Sequence, residues 1–245
     1  MPGSDLTKPL APRIILFDAV GTLIYPQPNA GAVYQQYGLQ FGSRKTAKQI
    51  SQLFAQAFDC VFRGDEQQHL PTNEELERQR WREVVATVFD ELDVDEGLFE
   101  ALWNHFANPR HWSLFPDVAA TLRELSTRGF TLGIASNFDC RLVEICRHFF
   151  PLDQCRNLFI STQLGYSKPD SRYFREVESR LSLQPAEILL VGDSWRNDVE
   201  SSRLCGWQAC WINRPRDEMS FYVEVQPSRQ ICEIHNVSQL LERIA

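Results

Sequence analysis

A chain of 245 residues that is 43% apolar is long enough for one large domain, or for a main domain carrying a smaller one, and needs no metal or disulfide staple to fold. Its formal charge of -7, with no run of Lys or Arg, argues against nucleic acid or an anionic membrane as a partner. No apolar run approaches the roughly 18 residues of a membrane span and no secretory pattern opens the chain, so a soluble cytoplasmic protein is expected.

Residues 1–12 carry no pattern and read as a loose arm. The first short apolar run covers residues 14–17, and four more follow at 130–135, 158–160, 188–191 and 209–212. Most of them lack polar alternation, which suits parallel strands covered on both faces. Between the first run and the second, from about Tyr25 to Asn108, no strand signal is found. Ile50, Leu53, Phe54, Ala57, Phe58 and Val61 instead follow a helical period there, as do Trp81, Val84, Val85, Val88, Phe89 and Leu92. Thr72 and Glu75 have the spacing of a capping box for the second of these helices. From residue 109 onward strands and helices alternate; Val118, Leu122 and Leu125 mark one helix, closed by Gly129. The pattern predicts an α/β fold: a doubly wound parallel sheet from residues 1–24 and 109–245, with an all-helical insertion over 25–108. The seven cysteines Cys60, Cys140, Cys146, Cys155, Cys205, Cys210 and Cys232 show no Cys-x-x-Cys pair and read as buried free thiols, so no zinc site is expected.

In open parallel sheets ligands bind just past the carboxyl ends of the strands. The residues there are Asp18, followed by Ala19-Val20-Gly21-Thr22-Leu23; Ser136-Asn137; Ser167-Lys168-Pro169-Asp170; and Gly192-Asp193, with Asp198 beyond. Any one of them alone reads equally well as a helix N-cap. Together they supply what displacement at phosphorus requires. Asp18 is an anionic oxygen nucleophile that would form an aspartyl phosphate. Asp18, Asp193, a backbone carbonyl and waters offer hard oxygen ligands to Mg2+, with Asp198 holding a coordinated water. Lys168, one of only four lysines, is a fixed positive charge. Ser136 and the backbone N–H groups near Gly21 and Asn137 could hold the phosphoryl oxygens.

The four segments, in this order and with a helical insertion after the first, resemble the haloacid dehalogenase superfamily, in the subfamily with a helical cap. The motifs are Asp18-Ala19-Val20-Gly21-Thr22, Ser136-Asn137, Lys168-Pro169, and Gly192-Asp193 through Asp198. The resemblance implies a Rossmann-like core, Asp18 as nucleophile, Mg2+ as cofactor with the Val20 backbone carbonyl among its ligands, and a small phosphorylated molecule as substrate. It leaves monomer and dimer equally open.

One position departs from the pattern. Most phosphatases of this superfamily carry a second Asp two residues after the nucleophile, where it acts as acid and base; here Val20 stands there. Losing a positioned acid/base removes a factor of ~10²–10⁴ in rate. Three readings therefore stand beside each other: a Mg2+-dependent phosphatase, a 2-haloacid dehalogenase-like hydrolase, and a phosphate-binding regulatory protein of low activity. Dehalogenases of the superfamily need no Mg2+ and lack the paired carboxylates that Asp193 and Asp198 supply, and their cap arginine has no counterpart near Phe54. A phosphonate hydrolase would need a cap lysine, and Lys45 and Lys48 read as solvated surface. Arg80, Trp81 and His69 are candidate cap specificity residues, although Trp81 also fits the apolar stripe. His105, His111, His148 and His235 have no metal spacing. Trp195 is expected near the mouth of the site, and Asn213-Arg214 at its edge.

Overall fold

The computed structural model describes residues 11–63, 71–92, 96–214 and 231–244; most of the expected N-terminal arm and His69 lie outside them. In chain order the first elements are β1 (Ile14–Phe17), β2 (Ile24–Pro26), α1 (Ala30–Gln40), α2 (Ala47–Arg63), α3 (Glu74–Val88), α4 (Glu96–Ala107) and β3 (Trp112–Leu114). There follow α5 (Val118–Thr127), β4 (Thr131–Ser136), α6 (Arg141–His148), β5 (Cys155–Ile160), α7 (Ser161–Leu164) and α8 (Ser171–Leu181). The last are β6 (Ile188–Gly192), α9 (Ser201–Leu204), β7 (Gln208–Ile212) and β8 (Cys232–Ile234).

All four residues of β1 are buried. Successive side chains of a strand point to opposite faces, so Ile15 and Phe17 join one core while Ile14 and Leu16 join another. Such a strand belongs in the middle of a sheet, and β1 pairs in parallel with β4 on one side and β6 on the other. The sheet runs β5-β4-β1-β6-β7-β8, parallel throughout. Val118, Leu122 and Leu125 of α5 and Leu142 and Ile145 of α6 cover the first face. Tyr173, Phe174 and Val177 of α8 cover the second. This is the doubly wound α/β architecture that the apolar runs predict.

Helices α1–α4 pool a separate apolar core that includes Val33, Tyr34, Ile50, Phe54, Val84, Val85, Leu98 and Phe99. The insertion is thus helical, with two helices, α1 and α4, that the sequence did not single out. Its helix α3 begins differently from the expected capping box. Asn73 is the N-cap, its Oδ1 accepting from the Leu76 N–H at 2.8 Å, while the Thr72 hydroxyl turns to Glu77 at 3.4 Å. Two short elements join the insertion to the sheet, the antiparallel ribbon of β2 and β3, paired Ile24 to Leu114. On its far side the insertion touches the sheet domain through Glu74, whose carboxylate accepts from the Cys140 N–H at 3.1 Å and from the Thr162 hydroxyl. Nearby, the Arg141 guanidinium pairs with Asp139 at 2.6 Å and lies 3.4 Å from the Trp103 ring centroid.

The cysteines are less uniform than expected. Cys60 and Cys140 are exposed, four are half-buried and Cys210 alone is buried. Among the described residues no helix is long and apolar enough to cross a membrane.

Candidate active site

The chain leaves β1 for β4 and β5 on one side, then crosses back to β6 and β7 on the other. Connections diverge on either side of β1, which opens a crevice beyond its carboxyl end. Asp18 stands there, its N–H bonded to the Val191 carbonyl at 2.8 Å. Ser136 closes β4, Asp193 follows β6, and Lys168 enters from the loop before α8. The structure brings all of these to one place.

Lys168 is the centre of the arrangement. Only 3% exposed, it uses its three ammonium protons on Asp18 Oδ1 at 2.9 Å, Asp198 Oδ1 at 2.5 Å and the Ala135 carbonyl at 2.8 Å. Burial alone would strip its charge, but Asp18 and Asp198 reverse that and push its pKa up. Asn137 fixes the backbone of Lys168 from both sides: its Nδ2 donates to the Lys168 carbonyl at 2.7 Å and its Oδ1 accepts from the Lys168 N–H at 2.8 Å. The Asn137 side chain is therefore engaged, and its backbone N–H is the group left to meet a ligand.

Asp18, Asp193 and Asp198 each offer a carboxylate oxygen, and the three oxygens lie within 4.8 Å of one another. Asp198 is held on its other oxygen by the Ser194 N–H at 3.0 Å, inside a π-helical turn over Trp195–Glu200. Asp193 accepts from the Thr22 hydroxyl at 3.2 Å. Two glycines give these carboxylates room. A Cβ on Gly21, which has φ +85, would stand 2.4 Å from Asp193 Oδ2, and one on Gly192 would stand 2.3 Å from Asp198 Cγ. Asp193 is the exposed member of the three; the protein packed around its carboxyl and then the charges of Asp18 and Asp198 raise its pKa above the ordinary value. Burial raises that of Asp198 to about 6, against the opposing pull of Lys168. Three hard oxygen donors that disfavour one another's charge fit a small divalent cation.

The turn after Asp18 hydrogen-bonds through the Ala19 carbonyl, which accepts from Leu23 and Ile24, and through the Gly21 N–H, which donates to Ile24. None of these bonds uses the Val20 carbonyl. The Val20 side chain is half-buried against the sheet core and carries no titratable proton.

Other candidates are taken up elsewhere. Asp170 is the N-cap of α8, accepting from the Arg172 N–H at 2.8 Å. Lys45 pairs with Asp90 and Glu91, and Lys48 is exposed. Arg80 donates to the Pro71 carbonyl at 2.8 Å, and Trp81 packs on Phe58 and Phe62. His105 stacks on His111, 3.8 Å between centroids, and His235 meets the Asn213 carbonyl. Trp195 packs edge-on against Trp211. Arg214 bridges Asp117 at 3.0 Å and the Thr22 carbonyl at 2.7 Å, and so braces the loop after Asp18 from the end of β7. That bracing role, and the Thr22 hydroxyl bond, went unread in the sequence; only the position of Thr22 in the first motif pointed toward it.

Known proteins resemble the chain in sequence and in fold. The family described as haloacid dehalogenase-like hydrolase matches residues 12–206. The chain is 26% identical over 212 residues to haloacid dehalogenase-like hydrolase domain-containing protein 3 of Bos taurus, covering 83% of this chain and 82% of that one. It is 30% identical over 141 residues to a phosphoserine phosphatase of Thermus thermophilus, covering 54% and 53%. Its fold is similar to that of the magnesium-bound HAD-hydrolase YfnB from Bacillus subtilis, with a TM-score of 0.73 at 20% identity over 95% of this chain and 98% of that one. The L-2-haloacid dehalogenase of Xanthobacter autotrophicus is similar in fold too, with a TM-score of 0.71 at 17% identity over 96% and 100%. With the match running from before Asp18 to beyond Asp198, the chain belongs to the haloacid dehalogenase-like hydrolase family.

Proposed function

We propose that the chain is a Mg2+-dependent phosphatase acting on a small phosphorylated metabolite through an aspartyl phosphate on Asp18. The observation that carries this reading is the convergence of one buried ammonium, Lys168, with three carboxylates at the strand ends. Relatives named phosphoserine phosphatase and glyceraldehyde 3-phosphate phosphatase support it at the level of reaction class.

Asp18, Asp193, the Val20 carbonyl and, through water, Asp198 would hold Mg2+, which supplies positive charge against a phosphoryl dianion and its developing negative charge. Lys168 orients Asp18 and adds a fixed positive charge beside it. Ser136 and the backbone N–H of Asn137 would donate to the phosphoryl oxygens, whereas the Gly21 N–H expected to join them is spent on the Ile24 carbonyl at 2.9 Å. Asp18 attacks phosphorus, the leaving group departs, and water cleaves the acyl phosphate. Helices α1–α4 act as a cap that excludes bulk water during the first step.

Val20 shapes the substrate range. With no acid on the side chain at that position, the first step favours groups that leave without protonation, such as phenoxides or carboxylates, or needs a proton from solvent or substrate. Val20 also favours one other reading, a phosphate-binding module with little turnover. The test is an assay with and without Mg2+ on an activated aryl phosphate, an acyl phosphate and a short 2-haloacid, with Asp18→Asn as control. Mg2+-dependent phosphate release, lost in Asp18→Asn, is expected. Metal-independent halide release would replace the phosphatase reading by a dehalogenase, and absence of turnover with intact Mg2+ and phosphate binding would replace it by the binding module.

A further inference from the structure

Strands β7 and β8 are parallel neighbours, and their register sets Cys210 directly beside Cys232. Adjacent strands lie roughly 4.8 Å apart, inside the roughly 4.4–6.8 Å that a disulfide spans between Cα atoms. In-register residues also send their side chains to the same face of the sheet. The two Sγ atoms stand 2.8 Å apart, both as free thiols. Sheet geometry has therefore done the orienting that bond formation between distant cysteines ordinarily demands.

We propose that Cys210 and Cys232 are a reversible dithiol/disulfide pair, oxidised by hydrogen peroxide, which clips the edge strand β8 to β7. The two sulfurs have unequal roles. Cys210 is fully buried and Cys232 is half-buried, so Cys232 is the sulfur that meets the oxidant. Burial raises the pKa of Cys210, keeping it a hydrogen-bond donor, and that donated bond lowers the pKa of Cys232. The Arg243 guanidinium lowers both. The partner more readily ionised is thus also the more accessible one, as attack by a thiolate requires.

The chemistry balances in two steps. The Cys232 thiolate attacks one peroxide oxygen; an S–O bond forms, the O–O bond breaks and hydroxide leaves, giving a sulfenic acid. The Cys210 sulfur then attacks the Cys232 sulfur. The S–S bond forms, the S–O bond breaks, and the departing hydroxide carries the Cys210 proton away as water. Two thiols lose two electrons in all, and one peroxide becomes two waters. A reducing dithiol reverses the change by thiol exchange.

The structural effect is on the end of the sheet. The three residues of β8 are held by β7, with the Asn213 N–H donating to the Ile234 carbonyl at 2.8 Å and the Asn213 side chain to Glu233 at 2.9 Å. A covalent link closes the chain between residues 210 and 232 and restricts the unfolded state more than the folded one.

The test uses the full chain, reduced, then exposed to equimolar hydrogen peroxide, alkylated and mapped as peptides without reduction. Expected are a cross-linked peptide pair containing Cys210 and Cys232, loss of two of the seven thiols, and a Tm higher by roughly 5–10 °C, all undone by dithiothreitol. Cys232→Ser should lose both the cross-link and the Tm response. Cys210→Ala should leave Cys232 as a sulfenic acid that dimedone captures, a readout that does not depend on how Cys232→Ser folds. Oxidation of the exposed Cys60 or Cys140 with Cys210 and Cys232 left reduced would overturn the pairing. A cross-link that leaves Tm unchanged would overturn the clip.

Discussion

The Lys168 ammonium stands 2.9 Å from Asp18 Oδ1 and donates at the same time to Asp198, so one cation joins the end of β1 to the π-helical turn that follows β6. Lys168→Ala would leave two enclosed carboxylates facing each other without it. The loss should be about 3–5 kcal/mol in metal-free protein, read as a lower urea midpoint, with kcat/KM down by ~10²–10³-fold. Wild-type stability in this variant would show that the carboxylates do not depend on Lys168.

Gly21 separates two effects that glycines often confound. Gly21→Ala meets both a positive φ and the Asp193 carboxylate 2.4 Å from the new Cβ. Gly129→Ala, at φ +90, meets only the backbone penalty, with nothing within 4 Å. Both should lose about 1–2 kcal/mol of stability. Only Gly21→Ala should weaken Mg2+ binding in calorimetry, by ~10-fold or more, the equivalent of about 1.4 kcal/mol. Equal Mg2+ affinity in the two variants would dissociate Gly21 from the metal carboxylates.

Restoring a carboxylate at Val20 should discriminate between leaving groups. Val20→Asp is expected to raise kcat/KM toward alkyl phosphates by ~10²-fold or more, and toward aryl phosphates by far less, because only an alkoxide needs a proton as it departs. Equal gains on both substrate types would mean that position 20 does not serve the leaving group.

Protons and Mg2+ compete for the same oxygens. Burial places the Asp198 pKa at about 6, and Asp193 is raised well above its ordinary value. Between the unfolded carboxyl pKa near ~4 and these raised values, the folded metal-free chain binds more protons than the unfolded one. Its stability therefore contains a contribution that is lost as pH rises. Mg2+ takes the place of those protons, so stability with Mg2+ minus stability with a chelator should grow with pH through about 6 and beyond. Other titrating groups act alike in both conditions and cancel. A difference in urea midpoint that is flat with pH would contradict the shared site.

The strands were legible because burial on both faces writes itself into sequence as unbroken apolar runs, as in Ile188 to Val191. The ribbon of β2 and β3 and strand β8 were not, since three residues are too few to show a period. Helix α1 escaped because Gly31 and Gly38 occupy its buried side, where an apolar stripe would be read. The candidate site was legible as a set of strand ends, with Asp18, Ser136, Lys168 and Asp193 each following or closing a recognisable run or motif. What escaped depends on which strands are neighbours. Arg214 reaches Thr22 from a position 192 residues away, and Cys210 meets Cys232 only through a register between strands. At the start of α3 the error was one residue: Asn73, not Thr72, offered its side chain to the first turn.

The two parts of the molecule are joined by two unlike attachments, a covalent one and a noncovalent one that includes Glu74. On one side the chain itself passes between them through the paired strands β2 and β3; on the other, the Glu74 carboxylate reaches across to Cys140 and Thr162, the Thr72 N–H donates to the Gly165 carbonyl at 3.2 Å, and Arg141 lies on the Trp103 ring. The helices are thus joined to the sheet like a door, by a peptide hinge on one edge and by side-chain and backbone contacts on the other. The two edges are independent in sequence: Glu74 can be changed without touching any residue of β2 or β3.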